Sequence, residues 1–122
     1  MSRILIFDPN EHDTNRLSLL TDKAQEVVRC RDRHALLKAL SAQRPDVLVY
    51  VVQSLLDDLV LLSSLRAVAP TLPIIMIGGP TDLESRRSIQ ELRPTYYGVL
   101  PLEPSELRDA VRGALQRGSG RR

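Results

Sequence analysis

PDVLVYVVQSLLDD, residues 45–58, decides the fold. After Pro45 and Asp46 comes an unbroken apolar run, Val47 to Val52, closed by Gln53 and Ser54. An apolar run of that length between turn residues is what a strand covered on both faces requires. The segment then turns helical: Asp57 or Asp58 is a suitable cap for a helix running to Ala69, with Leu59, Leu62, Leu65 and Val68 spaced for burial. In open parallel α/β sheets, chemistry gathers at the carboxyl ends of the strands. This strand, Asp46 to Val52, ends in two valines, so hydrocarbon stands where a carboxylate or hydroxyl is expected.

The same alternation extends in both directions. Toward the N-terminus, Arg3 to Phe7 reads as a strand, Glu11 to Lys23 as a helix burying Leu17, Leu20 and Ala24, and Glu26 to Cys30 as a second strand. Asp32 then caps a helix to Gln43 with Ala35, Leu36, Ala39 and Leu40 on one face, and Pro45 ends it. Toward the C-terminus, Pro73 to Ile77 is a strand without a polar residue, and Thr81 with Glu84 forms a capping box opening a helix to about Leu92. Tyr96 to Leu100 is the fifth strand, and Pro104 to Gln116 the last helix, with Leu107, Ala110, Val111 and Leu115 inward. Strand and helix alternating through short connections predict right-handed crossovers and a parallel sheet between helix layers. The expected architecture is an α/β flavodoxin-like (βα)5 three-layer sandwich with strand order 2-1-3-4-5 and its site above strands 1 and 3. Residues 1–117 form one domain, and 118–122 read as a flexible tail or the start of a linker.

Composition narrows the function. A chain of 122 residues with 43% hydrophobic and 26% charged residues has the size and balance of one globular domain. Three Tyr, one Phe and no Trp leave too few rings for a stacking platform on single-stranded nucleic acid. The net charge of +2 gathers toward Arg121 and Arg122, as in a solvated end. Cys30 is the only cysteine, which rules out an internal disulfide, and no apolar run is long enough for a signal core or a membrane span. A cytoplasmic location is expected.

The loops after the strands hold few reactive groups. Asp8 and Glu11 are oxygen donors, but one carboxylate at the switch point is a thin cation site, and Asp8 or Asn10 serves equally as a helix cap. Gly78-Gly79-Pro80-Thr81 can present bare N–H groups to an anion or simply turn the chain; it matches neither G-x-G-x-x-G nor the P-loop. His12 and His34 have no nucleophile at a spacing that implies a triad, and Cys30 reads as apolar filler. No catalysis, metal or cofactor is expected.

ILIFDPNE, PDVLVYVVQSLLDD, LPIIMIGG and YYGVLPLEPSEL together resemble the CheY-like receiver domain of two-component response regulators, over essentially the whole chain. The resemblance implies a first strand ending in two acids, a third ending in the phosphoacceptor Asp, a fourth ending in Thr or Ser, and a fifth leading to Lys-Pro. Here Asp8 keeps the first acid, Pro9 replaces the second, Val51 stands at the phosphoacceptor, Gly78 at the hydroxyl and Leu100 at the lysine, with Pro101 in register after it. Tyr97 matches the aromatic position that swings on activation. Without a carboxylate nucleophile, a metal site or a cation, aspartyl phosphorylation has no chemistry to run on. The implied protein is a pseudo-receiver, an interaction module independent of phosphorylation, whose pocket closes as additional core.

The resemblance also implies a working face: the helix opening near Thr81, the fifth strand and the last helix. It carries Asp82, Glu84, Arg86, Arg87, Glu91, Arg93, Arg108, Asp109 and Arg112, mixed charges suited to a protein partner or to a homodimer. Two alternatives stay open. One is the N-terminal receiver of a transcriptional regulator that meets DNA through a further output domain; the other is a small-ligand or anion sensor using Gly78 to Thr81 with Asp8.

Overall fold

The computed structural model describes residues 2–9, 25–42 and 44–119. Its elements are β1 (Ser2–Phe7), β2 (Gln25–Cys30), α1 (Arg33–Ala42), β3 (Val47–Val51), α2 (Leu55–Val68), β4 (Ile74–Gly78), α3 (Leu83–Glu91), β5 (Tyr96–Val99) and α4 (Pro104–Ser119). The helix expected over residues 11–23, with Leu17, Leu20, Ala24 and His12, lies outside the described residues, as do Asn10 and Glu11. α4 continues to Ser119, into the stretch read as tail.

All five strands are parallel and stand in the order β2-β1-β3-β4-β5, the predicted doubly wound topology. Because side chains alternate along a strand, neighbouring residues serve opposite layers. Leu5, Phe7, Leu48, Tyr50, Ile74 and Met76 pack against Leu36 of α1, Leu62 and Leu65 of α2, and Ile89 of α3. Ile4, Ile6, Val47, Val49, Val51, Ile75 and Ile77 pack against Leu107, Val111 and Ala114 of α4. β3 and β4 are buried along their whole length, which accounts for the lack of charged residues in either strand.

The caps were only partly anticipated. Asp32 caps α1 as predicted, its carboxylate accepting from the Ala35 N–H at 2.7 Å. α3 is capped by Asp82, which accepts from Ser85 N–H at 2.7 Å, and not by the Thr81–Glu84 box. With the cap one residue later, Ser85 takes the third helical position, whose N–H needs the acceptor. Neither Asp57 nor Asp58 is the N-cap of α2; Ser54 occupies that position without a side-chain bond, and Asp58 lies inside the helix. Val68, expected to be buried, is 85% exposed. The buried stripe of α2 runs through Asp58, Leu62, Leu65 and Arg66, and Val68 is turned about 200° from Arg66 at 100° per residue.

Arg66 took a core position that the sequence pattern assigned to no one. It is buried, and its guanidinium donates to the carbonyls of Leu92 (2.8 Å), Leu72 (2.7 Å), Arg93 (3.2 Å), Ala69 (3.3 Å) and Pro70 (3.3 Å). These belong to the α2–β4 and α3–β5 turns, so one side chain ties together two loops at the amino end of the sheet. Burial, and then the nearby charge of Arg93, lower its pKa from the usual arginine value. Arg93 itself has φ 54, a left-handed conformation uncommon for a side chain with a Cβ, in a turn held by its carbonyl's bond to Arg66.

Candidate functional site at the carboxyl end of the sheet

β1 and β3 bring their ends side by side at the switch point, and the two sequence-predicted positions there have opposite characters. Asp8 is buried and continues the β1 ladder, its N–H donating to the Cys30 carbonyl at 3.1 Å. Pro9 is exposed. Val51 is 1% exposed and lies in the α4-side cluster with Ile4, Ile6, Val49 and Ile77. Leu100, which follows β5, packs against that same cluster. Burying branched side chains of this size contributes roughly 1.5–3 kcal/mol each. The tip of β3 is thus hydrocarbon in contact with hydrocarbon.

This donor set does not fit a magnesium ion. Mg²⁺ requires oxygens in a near-octahedral array, whereas Asp8 supplies one carboxylate, Pro9 a ring and Val51 two methyl groups. Among the described residues no group of three or more His, Cys, Asp or Glu stands together. Cys30 is buried, and burial, reinforced by the Asp32 charge, pushes its thiol pKa up, away from the reactive thiolate.

Gly78 and Tyr97 prove to be one feature. The Tyr97 hydroxyl donates to the Gly79 carbonyl at 2.9 Å. A Cβ placed on Gly78 would lie 2.6 Å from that hydroxyl oxygen and 3.2 Å from the Val52 Cβ. No real Cβ tolerates the first distance, so the phenol occupies the volume that a side chain at position 78 would need. Burial raises the Tyr97 pKa and so keeps the phenol a neutral donor. Glycine at 78 is favoured here by close approach and not by backbone conformation, since its φ is not positive.

A second polar element at the same end was not predicted. Tyr50, in the middle of an otherwise aliphatic strand, is fully buried with its ring 4.8 Å from that of Phe7. Its hydroxyl donates to Asp58 at 2.7 Å, and the other oxygen of Asp58 accepts from the N–H groups of Gln53 (2.8 Å) and Ser54 (3.1 Å). Desolvation, then the bond to Asp58, raise the Tyr50 pKa far above the ordinary tyrosine value. The loop after β3 is thereby pinned from below by a core tyrosine and from the side by α2. A signal was available: a buried tyrosine needs a partner for its hydroxyl, and Asp58 is the acid that α2 turns inward.

Just beyond Gly78-Gly79-Pro80-Thr81, the N–H at the third position of α3, that of Ser85, is already taken by Asp82. Bonds from Ser85 lower the Asp82 pKa, and the resulting carboxylate, with Glu84 in the same turn, places negative charge where an anion would sit.

Arg86, Arg87, Glu91, Arg93, Arg108, Asp109 and Arg112 are all exposed on α3, α4 and the turn before β5. Among the described residues none of them forms an ion pair. β5 is the edge strand between the two helices. The Tyr96 hydroxyl donates to Glu106 across β5 and α4 at 2.7 Å, a bond that raises the Tyr96 pKa. An open depression of about 320 Å³ lies beside it, lined by Thr95, Tyr96, Glu106, Asp109, Ala110 and Gly113.

With this geometry in place, known structures supply the class. The fold superposes on a CheY-like response regulator receiver domain protein from Methanospirillum hungatei JF-1 with a TM-score of 0.86 at 17% identity, covering 100% of this chain and 99% of that one. It also matches the signal receiver domain of an HD domain-containing protein from Pseudomonas fluorescens Pf-5 (TM-score 0.84, 24% identity, 98% of each chain). A third match is the N-terminal receiver domain of a two-component response regulator from Bacteroides fragilis (TM-score 0.81, 19% identity, 94% and 97% covered). No protein-family model and no curated protein matches the sequence. The fold is that of CheY-like receiver domains, in its order of strands and in both helix layers. No helix among the described residues is long and apolar enough to cross a membrane.

Proposed function

We propose that this chain is a pseudo-receiver, a phosphorylation-independent protein-interaction module on the receiver fold. The observation that carries this reading is the closed hydrocarbon at the tip of β3, where Val51 is 1% exposed and packed with the cluster that Leu100 covers. A carboxylate nucleophile, a metal to offset charge between phosphoryl oxygens and a cation to hold the product are the three requirements of aspartyl phosphorylation, and Val51, Pro9 and Leu100 supply none. The latch of Tyr97 on Gly79 supports the same reading, because it fixes the residue that would otherwise relay a change from the site.

The partner surface in this proposal is the charged face formed by α3, β5 and α4. Its unpaired arginines and acids remain available to a protein of complementary charge, and the depression beside Tyr96 and Glu106 offers a seat for one projecting side chain. Receiver domains of the proteins above are parts of a response regulator and of an HD domain-containing protein, which favours an effector domain or kinase as the class of partner.

The test is direct. Incubation with acetyl phosphate and Mg²⁺ leaves the intact mass unchanged, and beryllofluoride leaves the amide NMR signals around Val51 in place. An acid-labile gain of one phosphoryl group would sink the proposal. For the face, charge reversal at Arg108 and Arg112 abolishes capture of the native partner, whereas reversal at Lys38 on α1 does not.

A further inference from the structure

α2 exposes large apolar side chains on its outer face, with few charges among them. Of its 14 residues only Asp57, Asp58 and Arg66 are charged, and Asp58 and Arg66 point inward. A helix of that composition is normally covered on every side, yet Leu56, Val60 and Val68 are 81%, 71% and 85% exposed. Ser63, Ser64 and Ala67, also exposed, complete a strip opposite the buried stripe. α3 and α4 present arginines and acids outward; α2 presents hydrocarbon and small side chains.

We propose that this strip is a homodimer interface in which α2 packs antiparallel against α2 of a second copy about a two-fold axis. Three features favour a second copy over a foreign partner. The first is charge: the strip offers nothing to an acidic or basic ligand, and it meets its own image without repulsion. Asp57 does not spoil this, because an axis at position 62 separates the two copies of Asp57 by about 15 Å along the helices, beyond the screening length of ordinary buffers.

The second feature is spacing. Leu56 and Val68 each lie six residues from position 62, about 9 Å along the helix. A two-fold axis there sets Val60 of one copy against Ser64 of the other and brings Leu56 and Val68 of the two copies to the same level on either flank, as an isologous contact requires. Ser63, Ser64 and Ala67 keep the centre slim, so the backbones approach to the usual ~8–10 Å of packed helices.

The third is area. A strip of this kind exposes on the order of 400 Å², large for a patch left bare on a monomer but about half the ~800 Å² per partner of a standard stable interface. The dimer is therefore a weak, reversible one. Self-association is thus assigned to α2, and the charged face is left to a different partner.

The experiment is sedimentation equilibrium on the whole chain from micromolar to millimolar concentration. The wild type shows a concentration-dependent monomer–dimer equilibrium. Val60→Glu weakens it about a hundred-fold, the scale of burying an unpaired carboxylate, while thermal unfolding of the monomer is unchanged because Val60 is exposed. Arg112→Glu leaves association as it was. An equimolar mixture of Val60→Glu and Ser64→Lys chains recovers a heterodimer, because positions 60 and 64 face one another across the axis. A wild type that stays monomeric at millimolar concentration, leaving the strip to another protein's helix, overturns the proposal. So does a dimer indifferent to Val60→Glu, one broken by Arg112→Glu, or a mixture that fails to recover. None of these outcomes depends on whether the chain accepts a phosphoryl group.

Discussion

Tyr50 and Val51 are consecutive in β3 and face opposite layers of the sheet. On the Tyr50 side, the end of the strand is polar, with a hydroxyl and two N–H groups converging on Asp58. On the Val51 side it is dry, and the nearest groups are the aliphatic side chains under α4. A polar network therefore stands at this end of the molecule, one residue away from Val51, and its work is to hold a loop. The difference separates shape from chemistry: Asp58 holds the loop after β3 from the Tyr50 side, whatever stands at position 51.

Substitutions at the two sides break or sharpen that contrast. The largest effect is expected for Val51→Asp, which puts a carboxyl group into hydrocarbon and destabilises the fold by about 4 kcal/mol, mostly the cost of keeping the group neutral or charged in an apolar site. Urea unfolding at neutral pH measures it, and a loss under about 1 kcal/mol would show the Val51 side to be wet. Asp58→Ala comes next, at about 3 kcal/mol, because it strands the Tyr50 hydroxyl and two N–H groups. In a Tyr50→Phe background the same change costs less, and that non-additivity is the signature of the shared bond.

The strands, their parallel order and both helix layers were legible from apolar run lengths and 3.6-residue spacing alone. Positions 8, 51, 78 and 100 stand at or just past the carboxyl ends of β1, β3, β4 and β5, where the resemblance to receiver domains set them, and Tyr97 lies inside β5. Asp58 and Arg66 were not legible. An acid early in a helix reads as a cap and an arginine late in one reads as a solvated cation, and nothing in the spacing says that both turn inward. A spacing of three residues drifts by about 60° per step, which carries Val68 to the outer face while Asp58 and Arg66 take inward positions.

A smaller effect tests the relation between Gly78 and Tyr97. Gly78→Ala costs about 2 kcal/mol through the clash at the phenol oxygen, and clearly less when Tyr97→Phe removes that oxygen. Thermal melts of the two single variants and the double variant give the coupling directly. Equal cost in both backgrounds would show that Val52, and not Tyr97, sets the limit at position 78.

The smallest effect is on pH dependence. The pKa values of Tyr50, Tyr96 and Tyr97 are all raised in the folded chain, so the neutral phenol is favoured by folding. Their contribution is complete below the unfolded tyrosine value of roughly 10 and is lost as pH rises above it. On the acid side, Asp82 has a lowered value, so its capping contribution is present above the unfolded aspartate value of roughly 3.9 and is lost as pH falls below it. Melting temperature against pH should therefore fall at both ends, and Tyr50→Phe should flatten the alkaline limb more than Tyr96→Phe does.

The contact between Tyr97 and Gly78 also constrains ancestry. A side chain enters position 78 only if the Tyr97 phenol shifts or is replaced, so substitutions at the two sites are coupled. A single mutation at 78 meets a steric barrier, and one at 97 first gives up the bond to Gly79. In lineages that share this pair, the two positions should be inherited together, and any return of Thr or Ser at 78 should be accompanied by a smaller or outward-turned residue at 97.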